Sequence, residues 1–175
     1  MPVASLIALT PCAGLLPLTV GEITITEIVP DALSSVTPFK GQKKAVSDAL
    51  KTQVGAGLTG VNRRSGAVTW FGHGVWLVSG AVSVEGAAVT DQSDAWTVVE
   101  IKGAGAEDVL ARLVPIDLRV SVFKKNHTAK TMLAHMSITI TRTGPDAFEI
   151  IAMRSMAKTL VHDLEVAMRG VAARG

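Results

Sequence analysis

A glycine-rich string is the first feature of this sequence that could do chemistry. Residues 55–60 read GAGLTG, the G-x-G-x-x-G pattern whose backbone amides hold a dinucleotide pyrophosphate at the start of a helix. That chemistry needs a strand before the string and a helix after it. Here an amphipathic helical pattern precedes the string and a polar run, 61–66, follows it. The sequence therefore favours a helix end and a glycine loop over a nucleotide site.

The histidines could ligate a metal or exchange protons, but they are scattered along the chain. None has a second histidine or cysteine at the short spacing of a zinc motif, so we expect no metal site. His73 lies between two glycines at a predicted hairpin tip, where a turn role and a functional role both stay open. His162 precedes Asp163 on a predicted helix, and this pair indicates a solvent-exposed helix face. The four are His73, His127, His135 and His162.

No nucleophile stands in a recognisable catalytic setting. The single cysteine, Cys12, has no base near it in sequence, and we expect a packed or interface thiol. The G-x-S-x-G signature of serine hydrolases is absent from the sequence. These observations predict no catalytic residue, no cofactor-binding residue and no metal ligand on this chain.

Basic residues gather in two segments, the first predicted helix and the loop before the fifth predicted strand. The simpler interpretation is solvated surface. The alternative is a contact surface for an acidic partner or for an anionic ligand tail. The residues are Lys40, Lys43, Lys44 and Lys51 in the first segment and Lys124, Lys125 and Lys130 in the second.

Hydrophobic periodicity gives the elements that must position these residues. A strand, a helix and a hairpin occur twice, and a closing helix follows. We therefore predict an α+β protein with a duplicated β-α-β-β unit, built as two layers in which one mixed sheet packs against helices. An apolar N-terminal arm, 1–20, precedes a single domain, 21–170, with a joint between its halves near 80–94. The predicted elements are strand 22–29, a helix from Thr37 as N-cap and Pro38 to Gly55, hairpin 68–78, strand 96–101, helix 106–113, strands 136–142 and 147–153, and helix 157–169.

Composition excludes several classes of function. The 175 residues carry a net charge of only +2 and no tyrosine, which disfavours a nucleic-acid binder. One cysteine indicates a reducing compartment, and we expect the cytoplasm. The apolar run 3–20 has no basic residue before it and is broken by Pro11, Gly14 and Pro17, so we expect neither a signal peptide nor a membrane span.

Whole segments of the chain, more than any single motif, resemble one family. The sequence looks like the gamma subunit of bacterial heterotetrameric sarcosine oxidase, and the resemblance extends from about residue 10 to 170. That family is similar in fold to the folate-binding domain of the glycine-cleavage T-protein. The segments that carry the resemblance are 11–18 (PCAGLLPL), 89–96 (VTDQSDAW), 110–118 (LARLVPIDL), 133–136 (LAHM), 142–150 (RTGPDAFEI) and 154–157 (RSMA).

The resemblance implies a role in an assembly that oxidatively demethylates sarcosine to glycine. Hydrogen peroxide is released, and the one-carbon unit leaves as formaldehyde or as methylenetetrahydrofolate, with tetrahydrofolate as the acceptor. The partners implied are large alpha and beta subunits and a small delta subunit. These partners would carry FAD, FMN, NAD and zinc, and this chain none of them.

One position departs from the T-protein pattern. An acidic residue that holds the reacting pterin side in those relatives aligns with Ala134-His135 here. The carboxylate that would orient or protonate a reacting amine is missing, which argues against aminomethyl transfer by this chain. Because His135 lies in an apolar stretch, we expect it to be packed or at an interface. The leading hypothesis is a non-catalytic subunit, and the alternative is a free-standing folate-binding module using the basic segment 124–130 for the glutamate tail.

Overall fold

The computed structural model describes residues 7–174. Within them the chain forms eleven strands and three α-helices, with a single 3₁₀ turn at Arg154–Met156. The helices are α1 (Lys43–Val54), α2 (Ala106–Ala111) and α3 (Ala157–Ala172). The strands are β1 (Leu18–Val20), β2 (Ile23–Ile28), β3 (Leu33–Pro38), β4 (Arg64–Ser65), β5 (Val68–Gly72), β6 (Val75–Ser79), β7 (Ala87–Asp91), β8 (Trp96–Lys102), β9 (Thr128–Leu133), β10 (Met136–Gly144) and β11 (Ala147–Met153).

The strands form two sheets, with orders β1-β2-β8-β11-β10-β9 and β4-β5-β6-β3-β7. The α+β class predicted from the sequence is confirmed. The single mixed sheet is not, because every strand pairing among residues 7–174 is antiparallel and the strands divide into two sheets. Strand β2 pairs with β8, whereas β3, which follows β2 in the chain, pairs with β6 and β7 in the other sheet.

The two sheets pack face to face, and helices cover their outer faces. Alternation along each strand sends neighbouring side chains to opposite faces. On β8, Val98 lies between the sheets while Val99 faces α2 and α3. On β6, Leu77 lies between the sheets while Trp76 faces α1. The architecture therefore has four layers, α-β-β-α, rather than the two expected.

Amphipathic helices supply the outer halves of both cores. On α3, Leu160, Leu164 and Met168 recur at helical spacing and are completely buried against the six-stranded sheet. On α1, Val46 and Leu50 do the same against the five-stranded sheet. Full burial of each such side chain contributes about 1.5–3 kcal/mol. The helical faces predicted from periodicity are confirmed.

The predicted helix start at Thr37 and Pro38 is wrong. These residues end β3, where Thr37 pairs with Ala88 and Pro38 with Ala87. A proline is tolerated at a strand end because its missing N–H removes a hydrogen bond only where the ladder stops. The helix begins instead at Lys43, after a turn closed by the Gln42 amide donating to the Phe39 carbonyl at 3.0 Å.

Candidate functional site

A cleft with aromatic walls lies between the start of α1 and the β5–β6 hairpin. Its volume is about 330 Å³. Trp70 and Trp76 are paired across the two strands and so lie on one face of the sheet. The lining residues are Pro38, Phe39, Lys43, Thr59, Val61, Trp70, His73, Gly74 and Trp76.

Hydrogen bonds and packing fix the floor of this aromatic cleft. The Trp76 indole N–H donates to the Thr59 carbonyl at 3.0 Å, and the Thr59 hydroxyl donates to the Arg63 carbonyl at 2.9 Å. The Lys43 ammonium lies 5.0 Å from the centroid of the Trp76 ring, within cation–π range. Phe39 and Val61 at the rim are 57% and 68% exposed.

The lining chemistry suits the binding of a ligand. The cleft offers indole faces and one ammonium, which favour an apolar or flat group bearing negative charge. Its lining includes no carboxylate and no cysteine. His73 is exposed at the hairpin tip, next to no residue that could serve as its orienting acid.

The structure explains the glycine string 55–60 without a nucleotide. Gly55 caps α1 in the left-handed conformation at φ +74°, and its amide donates to the Lys51 carbonyl. Gly57 packs on the same helix, where a β-carbon would lie only 2.4 Å from the Ser47 hydroxyl oxygen. The expected helix end and glycine loop are confirmed, since α1 precedes the string and β4 follows it.

The histidines lie in four different places. His73 is at the β5–β6 tip, His127 immediately precedes β9, and His162 lies exposed on α3. His135 lies exposed in the β9–β10 turn, so it is not packed within this chain, and its place at an interface stays a prediction. Within residues 7–174 no three histidine, cysteine or carboxylate side chains come together as a metal site.

Cys12 is completely buried against the six-stranded sheet. Burial is the main reason that the pKa of its thiol is raised, and Glu27 raises it further, although a hydrogen bond with Thr97 acts in the opposite direction. The Glu27 carboxylate accepts from the Cys12 amide at 2.9 Å and from the Thr10 hydroxyl at 2.6 Å. The interpretation as a packed thiol is confirmed.

Two arginines that the sequence patterns did not single out connect separate elements of the fold. Arg142 is fully buried, donates to the Glu107 carboxylate at 2.6 Å and also donates to the carbonyls of Leu118 and Pro145. Arg64 forms an ion pair with Glu149 at 2.8 Å, which joins β4 of one sheet to β11 of the other. Alternation along β10 could have revealed Arg142, because it falls on the same face as Ile138 and Ile140.

The two basic segments differ in the structure. Lys44 and Lys51 both pair with Asp48 on the surface of α1. Lys124 and Lys125 are exposed in the segment before β9. Lys130, expected in a loop, belongs to β9, and its ammonium lies 4.9 Å from the Phe71 ring centroid.

This geometry defines a class of protein: a two-sheet α+β chain whose described residues form an aromatic cleft but no metal cluster. The family model described as "Sarcosine oxidase, gamma subunit family" matches residues 40–168. The chain belongs to the sarcosine oxidase gamma subunit family, as the resemblance in its sequence indicated. No helix in residues 7–174 is both long enough and apolar enough to cross a membrane.

Individual relatives agree with this assignment. The chain is 30% identical over 114 residues to "Sarcosine oxidase subunit gamma" of Corynebacterium sp. (strain U-96), covering 58% of this chain and 56% of that protein. It is 30% identical over 142 residues to the protein of the same name from strain P-1, covering 74% and 69%. The match thus spans just over half the length of the first relative.

The fold is also similar to a solved structure. A chain of "Heterotetrameric Sarcosine Oxidase from Corynebacterium sp. U-96 in complex with pyrrole 2-carboxylate" superimposes with a TM-score of 0.81. The superposition covers 94% of this chain and 96% of that chain at 23% sequence identity. This likeness establishes the shared fold.

Proposed function

We propose that this chain is a non-catalytic subunit of a sarcosine oxidase complex. The observation that carries the proposal is the family match over residues 40–168. The assembly would demethylate sarcosine oxidatively to glycine, with hydrogen peroxide and either formaldehyde or methylenetetrahydrofolate as further products. Alpha, beta and delta subunits would hold FAD, FMN, NAD and zinc, and the reaction would take place there, in the cytoplasm.

Exposed apolar residues beside the N-terminal segment support a subunit role. Leu9, Val29 and Met153 are 66%, 62% and 56% exposed. Leu9 lines one groove with Met153 and an adjoining groove with Val29. Arg154 holds this segment in place by donating to the Leu9 carbonyl at 2.7 Å. Apolar surface of this kind is typical of a contact that a partner covers.

We also propose that the chain contains a duplicated unit related to the T-protein folate-binding domain. The order β7-β3-β6-β5-β4 in one sheet has the same form as β2-β8-β11-β10-β9 in the other. Four strands correspond to strands numbered five higher, and β7 corresponds to β2, numbered five lower, so the two halves exchange these strands between the sheets. This correspondence supports a joint between two halves near 80–94, after an N-terminal arm over 1–20. Residues 1–6 of that arm lie outside the described residues.

Co-expression with the alpha, beta and delta subunits tests the subunit proposal. We expect the tagged chain to elute with them by size exclusion, and Leu9→Asp to reduce recovery of the complex. Val166→Asp is the matched control, because Val166 is also an exposed apolar residue, at 56% against 66% for Leu9, but lies on α3. A wild-type chain that stays monomeric beside these subunits would overturn the proposal.

Calorimetry with tetrahydrofolate tests the alternative folate module. Heat with micromolar affinity from the isolated chain would favour that module, and no heat would favour the subunit. In the T-protein relatives an acidic residue aligns with Ala134-His135, which lie here in an exposed turn. The missing carboxylate supports the expectation that this chain carries out no aminomethyl transfer.

A further inference from the structure

We infer that a basic ridge, defined here as Arg63, Lys124 and Lys125 with the neighbouring Val120 and Val122, docks an acidic, partly apolar segment of a large partner subunit. The inference rests on the proposed function and assigns a contact surface within it. All five residues are exposed. Val120 and Val122 are 59% and 52% exposed, so two apolar side chains are accessible to a partner beside the charges.

Two separate segments build the basic ridge. Arg63 and His127 form an isolated antiparallel bridge between the loop before β4 and the loop before β9. Two further backbone bonds secure this contact, one from the Thr128 amide to the Asn62 carbonyl at 3.0 Å and one from the Arg64 amide to the Asn126 carbonyl at 2.9 Å. The ridge therefore combines cations from segments far apart in sequence.

The segment between α2 and β9 is long and has no helix or strand of its own, yet it is fixed. Arg142 donates to the Leu118 carbonyl, and the Asn126 amide donates to the Arg142 carbonyl at 2.8 Å. Phe123 is only 7% exposed and packs edge-on against the His127 ring. Long connections held in this way are usually functional, and a fixed binding surface loses little entropy when its partner docks.

Charge selects the kind of partner. The carboxylates on neighbouring elements are each tied to an arginine: Glu107 to Arg142, Asp117 to Arg119 and Glu149 to Arg64. Among residues 7–174, no carboxylate lies within ion-pair distance of Arg63, Lys124 or Lys125. The positive charges of Arg63 and Lys124 also lower the pKa of His127, after the larger effect of burial. An acidic segment of the partner would neutralise the positive charges of the ridge, and its apolar side chains would cover Val120 and Val122.

The test measures affinity of the purified full chain for the assembled partner subunits at about 50 mM and about 300 mM NaCl. The variant Lys124→Glu/Lys125→Glu reverses two charges on the ridge. The control Lys40→Glu/Lys158→Glu reverses two exposed charges elsewhere, near the start of α1 and on α3. We expect the ridge variant to bind roughly tenfold more weakly at the lower salt, with a smaller deficit at the higher salt, and the control to match the wild type.

Three outcomes would count against the inference. If wild type binds and the ridge variant binds equally well, the inference fails while the subunit proposal stands. A loss that is the same for ridge and control variants, or that is insensitive to salt, also overturns it. If wild type does not bind the partners, the subunit proposal itself fails and this inference fails with it. Matching thermal unfolding midpoints for the variants would establish that folding is unchanged.

Discussion

The fully buried Arg142 guanidinium donates to the Glu107 carboxylate at 2.6 Å, linking the end of β10 to the first turn of α2. The same guanidinium lies 4.3 Å from the Phe148 ring and donates to the Leu118 carbonyl. One side chain thus holds a strand, a helix and the segment that carries the basic ridge. A buried cation of this kind depends on its carboxylate, since few other groups compensate its charge.

Replacing Glu107 by Gln should destabilise the protein by roughly 1–3 kcal/mol, because the buried guanidinium would lose the one carboxylate that pairs with it among residues 7–174. Chemical denaturation measures this change. Glu165→Gln is the matched control: its carboxylate also lies 2.6 Å from an arginine, but Arg169 is 68% exposed. The control should cost less than about 0.5 kcal/mol. Equal losses from the two substitutions would contradict the buried-charge argument.

Replacing Gly57 by Ala should destabilise the protein by roughly 1–3 kcal/mol. The new β-carbon would lie 2.4 Å from the Ser47 hydroxyl oxygen and 3.1 Å from the Ser47 carbonyl oxygen. The hydroxyl, which accepts from the Leu58 amide at 3.1 Å, would have to turn away and lose that bond, and the loop would have to shift from the carbonyl. Gly60→Ala is the control within the same glycine string, because a β-carbon there meets nothing within 4 Å. Thermal unfolding of both variants is the measurement, and similar midpoints would refute the close-packing explanation.

The Cys12 thiol should react with a thiol reagent near pH 8 roughly a hundredfold more slowly in the folded chain than in the unfolded chain. Burial excludes the reagent and raises the pKa of the thiol, which keeps it protonated. Because the unfolded chain releases this proton first, the free energy of unfolding should also fall as the pH rises past about 8.5. Fast labelling of the native protein would contradict the packed-thiol assignment.

His127 should titrate below the ordinary histidine pKa of about 6.5, because burial and the charges of Arg63 and Lys124 disfavour its protonation. The folded chain then binds a proton less readily than the unfolded one, so this group's contribution to stability is lost as the pH falls below about 6.5.

NMR titration of the His127 ring gives this pKa directly. Lys124→Gln should move it upward, whereas the distant Lys158→Gln should leave it unchanged. An unmoved titration in the Lys124 variant would mean that burial alone lowers the pKa, and it would weaken the electrostatic case for the basic ridge.

Periodicity predicted most of the regular elements, because their buried faces recur in the sequence. The strand over Trp96–Lys102, the β5–β6 hairpin and the last helix were all expected near their observed bounds. The strand β3 was not, since Leu33 and Val36 do not alternate strictly with polar residues and Thr37-Pro38 mimics a helix start. Its identity depends on pairing with β6 and β7, which lie far away in sequence.

The candidate sites were harder to predict, because each combines distant segments. The aromatic cleft brings Lys43 of α1 together with Trp70 and Trp76 of the hairpin. The basic ridge depends on the bridge between Arg63 and His127. Single-sequence patterns report neighbours along a strand or a helix, and neither of these contacts is local. The family resemblance identified what kind of protein this is but none of these positions.

The sharing of strands between the two sheets predicts how the chain would behave if it were cut into two fragments. Strand β2 pairs with β8 and not with β3, the next strand in the chain. Likewise, β7 pairs with β3 and not with β8, the strand that follows it. Each sheet therefore contains strands from both halves of the polypeptide: β1 and β2 join the strands of the second half, and β7 joins those of the first half. Cutting the gene between β6 and β7 would give two fragments that are each incomplete alone, and only their mixture could rebuild the native molecule.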